Sequence, residues 1–318
     1  MPVSRELQLP SGDKIPTVGL GTWTVWQGAE GEIYRAVKEA IKVGYRHIDC
    51  AWFYKNQGEV GQAIKESIEE GTIKREDLFV TTKVWNTAHR RDAVKENLKQ
   101  SLSQLGLSYV NLLLVHYPIS FKDGDDPYPK DNDGNIIFAY HDIVDTWKGM
   151  EDCIDADLTR NIGLSNFNHL QVQRIIDASR IRPSVIQLEV NPLLSNTQLV
   201  EYCQKRDIGV TAYAPLGFPN RSWKKKGEPD LLEEPVVKQL ASAKGKTPAQ
   251  IVLRCLLQRG LIIIPKSSSP ARIKENLELF DTELSEDEMK QMAALDRNLR
   301  VYVDSISASH PEYPFNDF

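Results

Sequence analysis

Val110-Asn111-Leu112-Leu113-Leu114-Val115-His116-Tyr117 is a nearly unbroken apolar run that gives way to a histidine, His116, near its end. Continuous apolarity of this kind marks a strand covered on both faces, as in a parallel sheet. Seven further runs punctuate the chain: Thr17–Trp23, Arg46–Trp52, Leu78–Trp85, Asn161–Phe167, Ser184–Val190, Gly209–Leu216 and Leu261–Lys266. The segments between them read as amphipathic helices. Val60, Ile64 and Ile68 recur every four residues, as do Val94, Leu98 and Leu102, and each set makes one apolar stripe. Thr247-Pro248-Ala249-Gln250 is a capping box with proline at the first helical position, and Gly260 stops that helix. Ser285-Glu286-Asp287-Glu288 is a second box, opening an extra helix after the eighth strand.

Strand and helix alternating eight times predict an α/β fold of the (β/α)8 TIM-barrel type; an open doubly wound sheet is the alternative. Ahead of the first barrel strand, Glu6–Leu9 and Lys14–Thr17 flank Ser11-Gly12-Asp13, a hairpin expected to cap the barrel floor. Two long segments depart from the alternation, Phe121–Tyr140 and the C-terminal tail Arg297–Phe318, and both are read as walls of a substrate pocket. No linker or shift in composition divides residues 1–318, so they are read as one barrel domain.

The chain has 318 residues, 26% charged and 41% hydrophobic, with a net charge of -5. That composition is globular and gives no electrostatic reason to expect a nucleic-acid partner. The one basic run, Lys224-Lys225-Lys226, reads as a solvated loop. Cys50, Cys153, Cys203 and Cys255 lie far apart, without zinc spacing, so buried thiols in a reducing compartment are expected and no metal is. No signal-like apolar segment or bilayer-length run is present, and the expected location is cytoplasmic, with no membrane partner. Asn220-Arg221-Ser222 reads as a chance glycosylation sequon. Gly19-Leu20-Gly21 is followed by Thr22-Trp23-Thr24, so the third glycine of a Rossmann fingerprint is missing.

The chemistry sits where apolar strands run out. Asp49 ends the stretch Arg46-His47-Ile48-Asp49, Tyr54 follows five residues later, Lys83 interrupts the third run and His116 ends the stretch Leu112-Leu113-Leu114-Val115-His116. The carboxyl ends of barrel strands converge on one face, so these four residues would be neighbours. Asp49 can neutralise a buried Lys83. The Lys83 ammonium is expected to favour the phenolate and lower the pKa of Tyr54, making it a proton donor. Neutral His116 can donate a hydrogen bond to a carbonyl oxygen as charge develops there. Taken singly, each has a structural explanation; their joint placement favours a catalytic one. Gln187 and Tyr213 sit inside apolar runs and require polar partners. Lys266-Ser267-Ser268-Ser269, with Arg272 one turn on, makes an anion site of the kind barrels provide after their last strands. Trp23, Trp52, Phe53, Trp85, Tyr117, Phe121 and Tyr302 are expected to line an apolar, elongated substrate pocket beside His116.

Six motifs carry a resemblance along essentially the whole chain: Gly21-Thr22-Trp23; Gly44-Tyr45-Arg46-His47-Ile48-Asp49-Cys50-Ala51 continuing to Tyr54; Lys83-Val84-Trp85; His116-Tyr117-Pro118; Gly163-Leu164-Ser165-Asn166-Phe167; and Ile264-Pro265-Lys266-Ser267. In this order the sequence resembles the aldo-keto reductases, of the aldose and aldehyde reductase kind. The resemblance implies NADPH-dependent reduction of a small-molecule aldehyde or ketone by a monomer. Asp49, Tyr54, Lys83 and His116 would form a catalytic tetrad with Tyr54 as general acid. Ser165, Asn166 and Gln187 would hold the nicotinamide carboxamide and Tyr213 would stack on the ring. Lys266 and Arg272 would grip the adenosine 2′-phosphate, with Glu275 and Asn276 at the adenine. Thr22, Trp23, Asp49, Leu216 and Ser267–Ser269 would complete the cofactor contacts.

The sequence departs from the family pattern at Ala214 and Phe218, where serine is frequent, and at Asn220, where Asp is. Looser cofactor retention is the expectation, with Lys224–Lys226 a partial compensation. Asp304 in the variable tail faces either pocket or solvent on this reading. Two other functions stay open: an NADPH-binding barrel with a structural or sensing role, and a barrel hydrolase using Asp49 and Glu189.

Overall fold

The structure is a computed structural model that describes residues 3–24, 30–219 and 221–316; Asn220 lies outside the described residues. It opens with the hairpin β1 (Glu6–Gln8) and β2 (Lys14–Pro16), antiparallel with Leu7 opposite Ile15. The barrel follows as β3 (Leu20–Gly21), α1 (Glu32–Val43), β4 (His47–Asp49), α2 (Gln57–Glu69), β5 (Phe79–Val84), α3 (Arg91–Leu105), β6 (Val110–Val115), α4 (Ile143–Asp155), β7 (Thr159–Ser165), α5 (His169–Ala178), β8 (Val185–Glu189), α6 (Thr197–Gln204), β9 (Gly209–Tyr213), α7 (Pro235–Lys244), α8 (Pro248–Gln258), β10 (Ile262–Ile263), α9 (Pro270–Glu275) and α10 (Glu286–Ala293).

Strands β3 to β10 pair in parallel in chain order. Val18 meets Ile263 in a parallel bridge, and the Gly19 N–H donates to the Ile263 carbonyl at 2.8 Å, so the last strand returns to the first and the sheet closes. Closure requires close backbone approach. A Cβ on Gly21 would sit 2.6 Å from the Ile264 carbonyl oxygen, which only glycine avoids.

Period-two alternation explains the unbroken apolar runs. Phe79, Leu112, Leu114, Val185 and Ile262 cluster with hairpin residues Leu9 and Ile15, forming the barrel's lower interior and its plug. Their neighbours Val80, Leu113, Ile162, Ile186, Val210 and Ile263 belong to the larger core beneath the helices. Both faces are therefore mainly apolar at the amino ends of the strands, with His47 and Asn161 as buried polar exceptions that bond to the hairpin. Toward the carboxyl ends the side chains turn polar: Asp49, Lys83, Ser165, Gln187 and Tyr213, with His116 just beyond β6.

The two capping boxes form as the sequence predicts, Thr247 accepting from Gln250 N–H and Ser285 from Glu288 N–H. The strands are shorter than the apolar runs. Runs one, two and eight contribute only two or three ladder residues each, because their ends leave the sheet to line the cleft above it. One helix escaped the sequence reading. α7 precedes α8 and is separated from it by a turn at Gly245, whose φ of 62° favours glycine. All four cysteines are buried and free. Among the described residues no helix is long and apolar enough to cross a membrane.

Candidate active site

A cleft of about 1150 Å³ crosses the carboxyl ends of the strands. Its floor is a hydrogen-bonded cluster drawn from β4, β5 and, across the barrel, β8. The Lys83 ammonium donates to Asp49 Oδ1 at 2.5 Å, to the Cys50 carbonyl at 3.0 Å and to the Tyr54 hydroxyl at 3.3 Å. The second oxygen of Asp49 accepts from the Gln187 amide at 2.7 Å. Register produces the convergence, since Asp49 pairs with Thr81 two residues before Lys83. Tyr54 arrives on a 3-10 turn, Trp52–Tyr54, directly after β4. His116 packs its ring against Tyr54 with centroids 5.8 Å apart, and its Nδ1 is buried without a hydrogen-bond partner.

Burial and then Lys83 hold the His116 pKa well below its ordinary value, so the ring is neutral at pH 7. Tyr54 departs from the sequence expectation. Burial first, then the Asp49 carboxylate, push its pKa well above the ordinary phenol value. Burial is the larger cause; in addition, Asp49 pairs with Lys83 at 2.5 Å, so the ammonium acts on Tyr54 only as half of a pair. The phenol thus holds its proton firmly in the free cleft. Lys83 stands within reach of the hydroxyl and would stabilise negative charge there.

Beyond the floor, Asn166 sits in the left-handed region at φ 61°. Its amide donates to the His116 carbonyl at 3.0 Å and its carbonyl accepts from the Tyr213 hydroxyl at 2.8 Å. Ser165, Asn166, Gln187, Tyr213 and Leu216 all line the cleft, with Thr22 and Trp23. So do Lys266, Ser267, Ser268, Ser269, Arg272, Glu275 and Asn276 at its other end. Lys266 pairs there with Glu32 at 2.8 Å. The donor set suits a dinucleotide phosphate at one end and a carboxamide above the floor.

The aromatic residues divide. Trp23, Phe53, Trp85, Tyr117 and Tyr302 line the cleft, whereas Trp52 and Phe121 are not among its lining residues. Trp52 donates its indole N–H to Gln100 and is covered by Lys55. Phe121 is fully buried beside Trp85 and Tyr128. Both support the wall from behind. Tyr128, from the long 121–140 segment, lines the cleft and was not singled out in sequence. Asp304 also lines it, which resolves its orientation.

The loop after β9 carries its departures in strained backbone, with Ala214 at φ 45° and Phe218 at φ 46°. Phe218 stacks on Tyr302 of the tail at 5.8 Å, and Trp223 packs against both. Lys224 turns to Asp230 and Arg221 to Glu228. Glu189 hangs the tail on the barrel: its two oxygens accept from the Val301 and Tyr302 N–H groups at 2.8 and 2.9 Å. With Asp49 engaged by Lys83 and Gln187, neither carboxylate is placed for two-carboxylate hydrolysis.

The profile of the aldo/keto reductase family matches residues 17–297. The chain belongs to the aldo/keto reductase family. It is 46% identical to aldo-keto reductase family 1 member A1 of Gallus gallus, over 97% of each chain. The same protein of Homo sapiens is 45% identical over the same shares. Among solved structures, the aldose reductase from Schistosoma japonicum superposes with a TM-score of 0.92 at 41% identity, covering 98% of this chain and 99% of that one.

Proposed function

We propose that this protein is a monomeric oxidoreductase of the NADP-dependent alcohol dehydrogenase type, a single domain that reduces aldehydes and ketones to alcohols. NADPH, bound along the cleft, would supply the hydride from its nicotinamide C4. The observation that carries this reading is the Tyr54 hydroxyl held 3.3 Å from a buried, paired Lys83. Tyr54 gives its proton to the carbonyl oxygen as charge builds on it. Neutral His116 orients that oxygen by a hydrogen bond, and Lys83 steadies the phenolate left behind. Asp49 keeps Lys83 charged in a buried site.

Ser165, Asn166 and Gln187 orient a carboxamide, and Tyr213 offers a ring face beside it. Lys266 and Arg272 favour a cofactor with a 2′-phosphate. The aromatic walls favour a substrate with an apolar body, and four free, buried cysteines suit a cytoplasmic location. A structural or sensing barrel would leave the tetrad without a task. Mixing the protein with NADPH and an aromatic aldehyde tests the proposal: absorbance at the nicotinamide band should decay with enzyme-dependent turnover. Binding of NADPH with no decay across a broad carbonyl panel would leave only the sensing role.

A further inference from the structure

The substrate half of the cleft has an electrostatic character that its aromatic walls conceal. The only lysine and arginine among the described residues lining the cleft are Lys266 and Arg272, both after β10. The wall built by the tail instead presents Asp304, which lines the same cleft as Trp85, Tyr117 and Tyr128. No lysine or arginine pairs with Asp304 among the described residues. Arg300, four positions earlier in the tail, lies over the Phe315 ring at 4.2 Å. Burial raises the Asp304 carboxyl above its ordinary value, with the Ser307 hydroxyl opposing. Its charge reaches across the cleft: after burial, Asp304 is the largest influence raising the Tyr117 and Tyr128 phenols.

An unneutralised carboxylate facing aromatic rings is what a cation requires: a counter-charge from one side and negative ring faces from the other. An anion entering the same space meets the Asp304 carboxylate and the negative ring faces, both of which repel it. We propose that Asp304 is a specificity-determining residue that selects carbonyl substrates bearing a cationic group, such as a substituted ammonium, away from the carbonyl, and disfavours anionic ones. This rests on the carbonyl-reductase reading. The ammonium end lodges between Asp304 and the tyrosines while the carbonyl reaches Tyr54 and His116. An apolar body with one cationic end satisfies both the rings and the carboxylate.

Three benzaldehydes test it, each with NADPH: 4-trimethylammonio, its neutral isostere 4-tert-butyl, and 4-carboxy. Comparing wild type with Asp304→Asn on each aldehyde cancels the substituents' effect on carbonyl reactivity. In Asp304→Asn, the kcat/KM ratio of cationic to neutral aldehyde should fall about tenfold, the scale of a partly desolvated charge pair. The ratio of anionic to neutral should rise. Asp304→Lys should invert the order, so misfolding of one variant leaves the other as a test. Ratios that stay the same in every folded variant would overturn the proposal while leaving carbonyl reduction standing. Failure of the wild type to turn over any of the three would count against the reductase reading itself.

Discussion

The floor of the cleft and its far wall are built in opposite ways. On the floor, Asp49, Lys83, Ser165, Gln187 and Tyr213 are strand residues, and Tyr54 and His116 follow strands within a few positions. Parallel register fixes their spacing, and hydrogen bonds link most of them. The far wall comes from a tail after the last helix and a loop between β6 and α4. The tail is tied down by Glu189 at Val301 and Tyr302, by the stack of Phe218, Trp223 and Tyr302, by Glu312 to Gln171 and Arg174, and by His310 to the Ala139 carbonyl. Chemistry is thus set by the scaffold and selectivity by appended segments. Damage to the floor should appear in kcat or in stability, and damage to the wall in KM and substrate preference.

The largest effect should come from Tyr54→Phe, which removes the proton and leaves the ring. Loss of a general acid costs about 10²- to 10⁴-fold in kcat. Fluorescence titration should find NADPH still bound, because Lys266 and Arg272, proposed to hold its phosphate, lie at the other end of the cleft. Near-normal turnover would remove Tyr54 from its role and erase the distinction between floor and wall. Lys83→Met comes next. It leaves the Asp49 carboxylate, 1% exposed, without its counter-ion, and breaking a buried pair from one side costs about 3–5 kcal/mol. Denaturant unfolding should register that loss; a stability within about 1 kcal/mol of wild type would mean water or Gln187 already compensates Asp49.

The contrast also explains what the sequence could tell. Asp49, Lys83 and His116 were legible because a charged or titratable residue at the end of an apolar strand is conspicuous, and a closed barrel forces strand ends together. Lys266 and Arg272 were legible for the same reason. Tyr128 and Asp304 were not, since loops carry no periodicity that fixes where a side chain points. Trp52 and Phe121 show the converse: aromatic residues near strand ends look alike in sequence, whether they face the cleft or the packing behind it. The direction of the Tyr54 shift was misread because the sequence reading weighed the Lys83 charge and not the burial of the phenol, which is the largest cause raising its pKa. The helix α7 lacked the capping-box signature that made α8 and α10 visible.

Glu189→Gln probes the wall's attachment. The amide keeps one acceptor, so one of the two N–H groups of Val301 and Tyr302 loses its charged partner. Bonds to charged groups contribute about 1.5–3 kcal/mol, and KM for a bulky aldehyde should rise about tenfold while kcat changes far less. A fall in kcat with KM unchanged would place Glu189 in the chemistry instead. Ala214→Ser has a smaller expected effect. Ala214 lines the cleft, and a hydroxyl there adds one donor toward a bound dinucleotide. One such hydrogen bond, about 0.5–1.5 kcal/mol net, should slow NADPH release about two- to tenfold in stopped-flow fluorescence. An unchanged rate would mean that the Phe218–Tyr302 stack already sets retention.

The smallest expected effect is none, and it tests the floor most stringently. An ordinary histidine gains a proton as pH falls through 6.5, but burial and Lys83 hold His116 well below that value, so it stays a neutral donor through the mildly acidic range. An ordinary phenol loses its proton as pH rises toward 10, but burial and Asp49 hold Tyr54 above that, so it stays loaded through the mildly basic range. With an aldehyde that does not ionise, kcat/KM for reduction should therefore be flat from about pH 6 to 9, because neither floor group titrates there. An inflection near 6.5 that disappears in His116→Asn would mean that water reaches the imidazole and that the floor is less enclosed than its packing against Tyr54, Trp85 and Phe53 implies.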